Sequence, residues 1–370
     1  MAEEPRWKKY LRVLFFLFVL YLFFISIESM GGALKLFGRG FAESLMQATT
    51  NPFVGLLMGL LATSIIQSSS STTSIIVGMV ACGSLTLEGA IPMVMGANIG
   101  TSVTAVLVSL GHITRKAEFR RAFIGATMHD MFNIMAVIIV LPLEISTHFL
   151  ARSSMFIALT LEGAGGLKFV SPLKLIVSPV VKLARELFVW IGGESTTTAA
   201  VLMLIFALLL LFLSLKLMVG TMKKLIFGRV ESIMHDYLFK STLRALVIGA
   251  AITALIQSSS ITTSLVVPLM GAGILSLEAV FPFTVGANIG TTVTALLASL
   301  VTGQATPLAV ALSHLLFNIC GAVVFVPLRR IPIGVAKLLG RLVDKGRIFA
   351  FLYVLLVFFV IPIACILIFD

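Results

Sequence analysis

Two short runs of amide and hydroxyl side chains are the part of this sequence best equipped to do chemistry. The first is Gln67-Ser68-Ser69-Ser70-Ser71-Thr72-Thr73-Ser74. The second, 190 positions later, is Gln257-Ser258-Ser259-Ser260-Ile261-Thr262-Thr263-Ser264. Both are embedded in apolar sequence. Lipid offers no hydrogen-bond partners, so each run must face protein, a water-filled cavity or a bound solute. If a helix starts near Thr72, and another near Thr262, the preceding serines are its cap. Its first N–H groups then lack intrahelical partners and carry the positive end of the helix dipole. Serine hydroxyls add donors, which makes an anion site suited to phosphate or a similar oxyanion. The expected anion ligands are Gln67, Ser68, Ser69, Ser70, Thr72 and Thr73, with Gln257, Ser258, Ser259, Ser260, Thr262 and Thr263. Two such ends meeting at midplane would surround one oxyanion without any Lys or Arg.

The repeated motifs contain no basic residue. A dianion held there would need co-bound cations for charge balance. Oxygen ligands for a hard cation are abundant, which favours sodium. They are Gln67, Asn98, Thr101 and Asn133, their partners Gln257, Asn288, Thr291 and Asn318, and carbonyls freed at Gly100 and Gly290 if the glycines locally unwind their helices. Asp130 breaks the symmetry, because its counterpart is Leu315. An ionisable residue inside a span reads as functional, with a cation as partner. The competing reading places it at the water interface, paired with Arg120 or Arg121. Glu88 and Glu278 open their segments and read as helix N-terminal charges. Ser, Thr and Gly also serve close helix packing, but duplication of the whole Gln-Ser-Ser-Ser unit weighs against packing alone.

The elements that must position these groups are themselves duplicated. Residues 67–104 and 257–294 align without gaps at 21 identities in 38 positions. The block Gly96-Ala97-Asn98-Ile99-Gly100-Thr101 matches Gly286-Ala287-Asn288-Ile289-Gly290-Thr291, and His129-x-x-Phe132-Asn133 matches His314-x-x-Phe317-Asn318. The chain is therefore an internal duplication. Its 370 residues are 59% hydrophobic and 12% charged, with mean hydropathy +1.11. A soluble chain carries about twice that charged fraction, so this is a polytopic, all-α membrane protein. The net charge of +11 belongs to basic residues beside apolar spans. It implies cytoplasmic loops and lipid head groups rather than nucleic acid. Cys82, Cys320 and Cys365 have neither disulfide nor metal spacing and read as packing residues.

Spans are expected at about 11–28, 88–110, 122–142, 198–218 and 348–368. The pieces 53–66 and 72–83 are each shorter than the roughly 20 residues a crossing needs. They predict a re-entrant hairpin with Gln-Ser-Ser-Ser at its tip. Residues 28–52 read as a neutral external loop, 111–121 and 219–244 as basic cytoplasmic loops, and 301–313 as an uncharged one. The charge bias thus flips between the copies, the signature of inverted repeats. Segments 172–190 and 332–343 read as interfacial helices. The expected organisation is repeat 1 over 10–145, a connecting segment over 146–197, repeat 2 over 198–328, and an interfacial segment with a final span over 329–370. Arg6, Lys8, Lys9 and Arg12 place the N-terminus in the cytoplasm and, by this count, the C-terminus outside.

These features predict a secondary transporter rather than an enzyme. Adjacent His129 and Asp130 point in different directions on a helix, and no Gly-x-Ser-x-Gly elbow is present, which argues against a serine hydrolase. Proton coupling, another oxyanion such as sulfate, or a passive channel remain open on the residues alone.

The paired Gln-Ser-Ser-Ser runs, the G-A-N-I-G-T-[ST]-V-T blocks and the Phe119–Asn133 segment F-R-R-A-F-x-G-A-T-x-H-D-x-F-N closely resemble the type II sodium–phosphate cotransporters. The resemblance covers most of the chain. It implies uptake of inorganic phosphate driven by sodium, with no cofactor and with Ser68–Ser70 and Ser258–Ser260 at the phosphate region. It also implies that Asp130 occupies the position that is Asp in electrogenic members and Gly in electroneutral ones. Ala97 and Ala287 depart from a serine frequent in the family. The chain looks like a compact, bacterial-type member of the cell membrane.

Overall fold

An apolar chain in lipid has to satisfy its own backbone, and helices do so within one segment. The computed structural model describes residues 6–164, 172–193, 195–237 and 241–369, and every regular element among them is a helix. In order, the first half contains α1 (Arg6–Leu36), α2 (Arg39–Ala48), α3 (Pro52–Ile66), α4 (Ser69–Ala81), α5 (Leu87–Ser109), α6 (Lys116–Thr147), α7 (Phe149–Ala164) and α8 (Pro172–Gly192). The second contains α9 (Thr196–Tyr237), α10 (Thr242–Ile256), α11 (Ser259–Gly271), α12 (Leu277–Thr302), α13 (Ala305–Phe325), α14 (Arg330–Lys345), α15 (Ile348–Leu355) and α16 (Ile361–Phe369). A π turn over Leu356–Val360 joins the last two into one span. Seven of the described helices are long and apolar enough to cross a membrane. The chain is a multi-pass membrane protein.

Several expected loops are helical. Glu28 and Lys35 lie within α1, and Arg39 and Glu43 within α2, so residues 28–52 are not one loop. α6 begins at Lys116, which puts Arg120 and Arg121 inside it. α9 runs on to Tyr237, so most of 219–244 is helix; Lys240 and the side chains of 223–237 lie outside the described residues. Only Gly303 and Gln304 separate α12 from α13 where 301–313 was expected as a loop. Charge marks which end of a helix meets water, but it does not stop a helix. Long side chains at a helix end snorkel, so charge alone misplaces the boundary.

Two four-helix sets, α3–α6 and α10–α13, form the centre, and they repeat each other in detail. α3 packs on α5 as α10 packs on α12. Glycines set these distances. A Cβ on Gly96 would stand 1.8 Å from Leu56 O, and on Gly286 2.0 Å from Leu246 O. On Gly59 it would meet Met93 O at 1.9 Å, and on Gly249 it would meet Phe283 O at 2.1 Å. The helix backbones therefore touch, as small residues permit. This overturns the unwinding expected at Gly96–Gly100. α5 and α12 are continuous helices through both glycine pairs, and no carbonyl is freed there.

The sets also interlock. α4 packs across onto α12 and α13, and reciprocally α11 packs across onto α5 and α6. Gln304 Nε2, in the α12–α13 turn, donates to Ala81 O at 3.2 Å, and Arg121 Nε, near the start of α6, donates to Gly271 O at 2.8 Å. Around this centre α1 packs on α9, α8 on both of them, α7 on α13, α14 on α6, and α16 on α3.

Candidate functional site

Each Gln-Ser-Ser-Ser run falls at a break between two short helices, and the two breaks are nearly superimposable in their torsions. Gln67 ends α3 in the left-handed region at φ 56, and Gln257 ends α10 at φ 61. A non-glycine residue there costs roughly 1–2 kcal/mol, and both copies accept that cost to turn the chain. Their N–H groups close onto Thr63 O at 2.7 Å and Thr253 O at 2.6 Å. Ser68 and Ser258, both extended, then cap the next helix, accepting from Ser71 N at 3.2 Å and Ile261 N at 3.4 Å. The first helical hydrogen bonds are Thr72 N to Ser68 O and Thr262 N to Ser258 O. The helices thus start at Ser69 and Ser259, three residues before the expected Thr72 and Thr262. The N–H groups of Ser69, Ser70, Ser259 and Ser260 precede any helical partner.

The two helix starts come together. Ser70 Oγ donates to Gln257 O at 3.1 Å, and Thr294 Oγ1 donates to Ser70 Oγ at 3.4 Å. Ser69, Ser70 and Ser259 are buried, and Ser260 is half-buried. Thr72, Thr73, Thr262 and Thr263 spend their hydroxyl protons on helix carbonyls of their own turn. No hydrogen bond within the described residues engages the hydroxyls of Ser69, Ser259 or Ser260. Gln257 is buried with its Oε1 unpartnered, whereas Gln67 is exposed. Unpaired donors beside free helix N–H groups are the chemistry that receives an oxyanion.

The asparagines form a second group where the repeats cross. His129 Nε2 lies 2.7 Å from Asn288 Oδ1, and reciprocally His314 Nε2 lies 3.4 Å from Asn98 Oδ1. Asn288 Nδ2 donates to Asn133 Oδ1 at 2.7 Å, Asn133 Nδ2 to Asn98 O at 2.8 Å, and Asn318 Nδ2 to Asn98 Oδ1 at 3.3 Å. All six side chains are buried, and Asn318 Oδ1 has no partner. Thr101 and Thr291 bond back to Ala97 O and Ala287 O within their helices.

Asp130 lies on α6 with no exposed surface. Ser102 Oγ donates to its Oδ1 at 2.8 Å, and the Tyr353 hydroxyl donates to its Oδ2. The interfacial alternative is overturned, because Arg120 pairs with Asp344 at 3.0 Å and Arg121 bonds Gly271 O. A buried carboxylate held only by neutral donors is one that a cation can join.

Residues 22–165 and 209–339 match the family described as Na+/Pi-cotransporter. Each segment contains one Gln-Ser-Ser-Ser break, and together they make up more than half of the chain. The chain belongs to the Na+/Pi-cotransporter family. Among its relatives, the rat sodium-dependent phosphate transport protein 2A is 34% identical over 426 residues, covering 96% of this chain and 67% of the relative. The human sodium-dependent phosphate transport protein 2B is 32% identical over 443 residues, covering 95% of this chain and 64% of the relative. The chain thus spans about two thirds of these relatives' length. No solved structure matches it significantly.

In this Na+/Pi-cotransporter family member most of the expected residues fall into three neighbourhoods; the hydroxyls of Thr101 and Thr291 bond within their own helices and Gln67 is exposed. The serine runs of both copies meet at one place. Asn98, Asn133, Asn288 and Asn318 share a single network. Asp130 has its own donors. His129, His314, Ser102, Thr294 and Tyr353 also stand in these neighbourhoods, where none of them was expected. The two histidines were visible as the start of the repeated H-x-x-F-N motif. Tyr353 carried no signal, because it sits in an apolar span far from any repeat.

Proposed function

We propose that this protein is a secondary active transporter that couples inward sodium flow to uptake of inorganic phosphate. The hydrogen bond from Ser70 to Gln257 carries the reading, because it brings one helix start from each repeat to the same place. One phosphate there is held by the N–H groups of Ser69, Ser70, Ser259 and Ser260 and by serine hydroxyls of both runs, with Gln67 and Gln257 at the turns. Thr72, Thr73, Thr262 and Thr263 take part through their helices. Sodium is held by oxygens of Asn98, Thr101, Asp130 and Asn133 and of Asn288, Thr291 and Asn318, which supplies the charge balance that the site lacks. Membership of the family and relatives named for sodium-dependent phosphate transport support this substrate pair.

Repeats 10–145 and 198–328 lie inverted in the membrane and exchange access by moving against each other. The support is in their cross-contacts. The end of α4 meets the α12–α13 turn, while the end of α11 meets the start of α6. Each broken-helix end of one repeat therefore lies beside the opposite end of the other. Arg115, Arg120, Arg121, Arg329 and Arg347 gather at the α6-start end, which makes that end cytoplasmic.

The site is tested by sodium-driven phosphate uptake into proteoliposomes. Ser69→Ala and Ser259→Ala each raise the half-saturating phosphate concentration by roughly tenfold to a hundredfold, because a hydrogen bond to a charged group contributes about 1.5–3 kcal/mol. Unchanged half-saturation in both variants contradicts the site.

A further inference from the structure

The last span is peripheral, with only 11% of its most apolar 18-residue stretch buried by the rest of the chain. Yet it sends one hydroxyl onto a fully buried carboxylate. We propose that Tyr353 is a place-holder for the coupling cation: its hydroxyl occupies Asp130 Oδ2 in the cation-free carrier and is released when sodium binds there. This rests on the reading of Asp130 as a sodium ligand.

Four observations carry it. First, a buried carboxylate must be compensated, and in the structure the donors on its oxygens are the hydroxyls of Ser102 and Tyr353. The Tyr353 hydroxyl takes one of the carboxylate's roughly four lone-pair sites, so a cation approaching Oδ2 from that side meets the hydroxyl first. Second, the tyrosine is held in position by packing. Its ring lies edge-on to Phe123 of α6 at 5.9 Å and to Phe358 at 6.1 Å. Third, the helix that carries it is irregular close by. The π turn Leu356–Val360 follows three residues after Tyr353, and π turns are local irregularities that recur at functional sites. Fourth, beyond that turn α16 packs on α3, the helix that ends at Gln67. The last span therefore connects Asp130 with the helix that leads into the first Gln-Ser-Ser-Ser break.

A place-holder favours the empty carrier over the sodium-bound one. Removing its hydroxyl strengthens sodium binding and slows return of the empty carrier, which then buries a less compensated charge. A sodium ligand would behave oppositely, because its loss would weaken sodium binding.

The test uses the full chain in proteoliposomes with radiolabelled inorganic phosphate. Tyr353→Phe is expected to lower the half-saturating sodium concentration several-fold and to slow net uptake. Phosphate–phosphate exchange with saturating sodium on both sides should be retained, because exchange never passes through the empty carrier. A general loss of fold would reduce exchange as well. Phe358→Leu, which loosens the ring but keeps the hydroxyl, should shift sodium dependence in the same direction by less. A half-saturating sodium concentration that rises or stays the same in Tyr353→Phe overturns the proposal. In an Asp130→Gly background, Tyr353→Phe should have no further effect on sodium dependence; a retained effect also overturns it. If Asp130→Gly itself leaves sodium dependence unchanged, the reading of Asp130 falls and the place-holder falls with it. If only Tyr353→Phe is silent, Asp130 stands and the place-holder alone is lost.

Discussion

Ser102 and Tyr353 leave Asp130 compensated but not neutralised, which fits a residue that trades hydroxyl donors for a cation. In Asp130→Gly the carboxylate is gone and its charge no longer moves with the substrates. The expected result is sodium-dependent phosphate uptake that persists but no longer responds to membrane potential, measured as uptake at two clamped potentials. Loss of all uptake in correctly inserted protein would give Asp130 a structural role instead. The asymmetry at Asp130 was legible in the sequence, because its counterpart in the duplicated segment is Leu315. Its partners were not legible. Ser102 sits 28 positions away and Tyr353 sits 223 away, so only tertiary packing brings them together. The threonines show the reverse limit. Thr73 and Thr263 have the right chemistry for a ligand, yet each hydroxyl bonds the carbonyl four residues back, a local option that competes with any ligand.

Within the elements, glycine decides how closely each broken pair packs on its long partner. α3 meets α5, and α10 meets α12, through backbone contacts that leave no room for a methyl group. Gly96→Ala places Cβ against Leu56 O, so the helices must part. We expect a loss of about 1–3 kcal/mol or more, the usual cost of overpacking, seen as a lower melting temperature in detergent. Gly111→Ala has nothing within 4 Å of the added Cβ and should be close to neutral. Equal stability of both variants would contradict the backbone contact. The short helices and their break were legible because 53–66 and 72–83 are each too short to cross. The continuity of α5 was not, because glycine spacing alone cannot separate an unwound helix from a closely packed one. The packing of α10 on α12 through Gly286 and Gly290, the same register as Gly96 and Gly100, decides for the second.

Across the whole molecule two copies of one unit interlock through α4 and α11. Cys82 and Ala272 are repeat counterparts that follow α4 and α11. If the repeats are inverted, they face opposite sides of the membrane. In a background with Cys320 and Cys365 replaced by alanine, a membrane-impermeant maleimide should label Cys82 from outside. With Cys82 also replaced, Ala272→Cys should label only from the cytoplasmic side. Labelling of both from one side would contradict inversion. The duplication and the helical, multi-pass character were readable in the sequence, whereas the cross-contacts that tie the copies needed the fold. The most direct test of the central claim is radiolabelled phosphate uptake into proteoliposomes holding the wild-type protein, with and without an inward sodium gradient at fixed pH and potential. Phosphate should accumulate above equilibrium only when the sodium gradient is present. Equal uptake without sodium, or equilibration without accumulation, would contradict it.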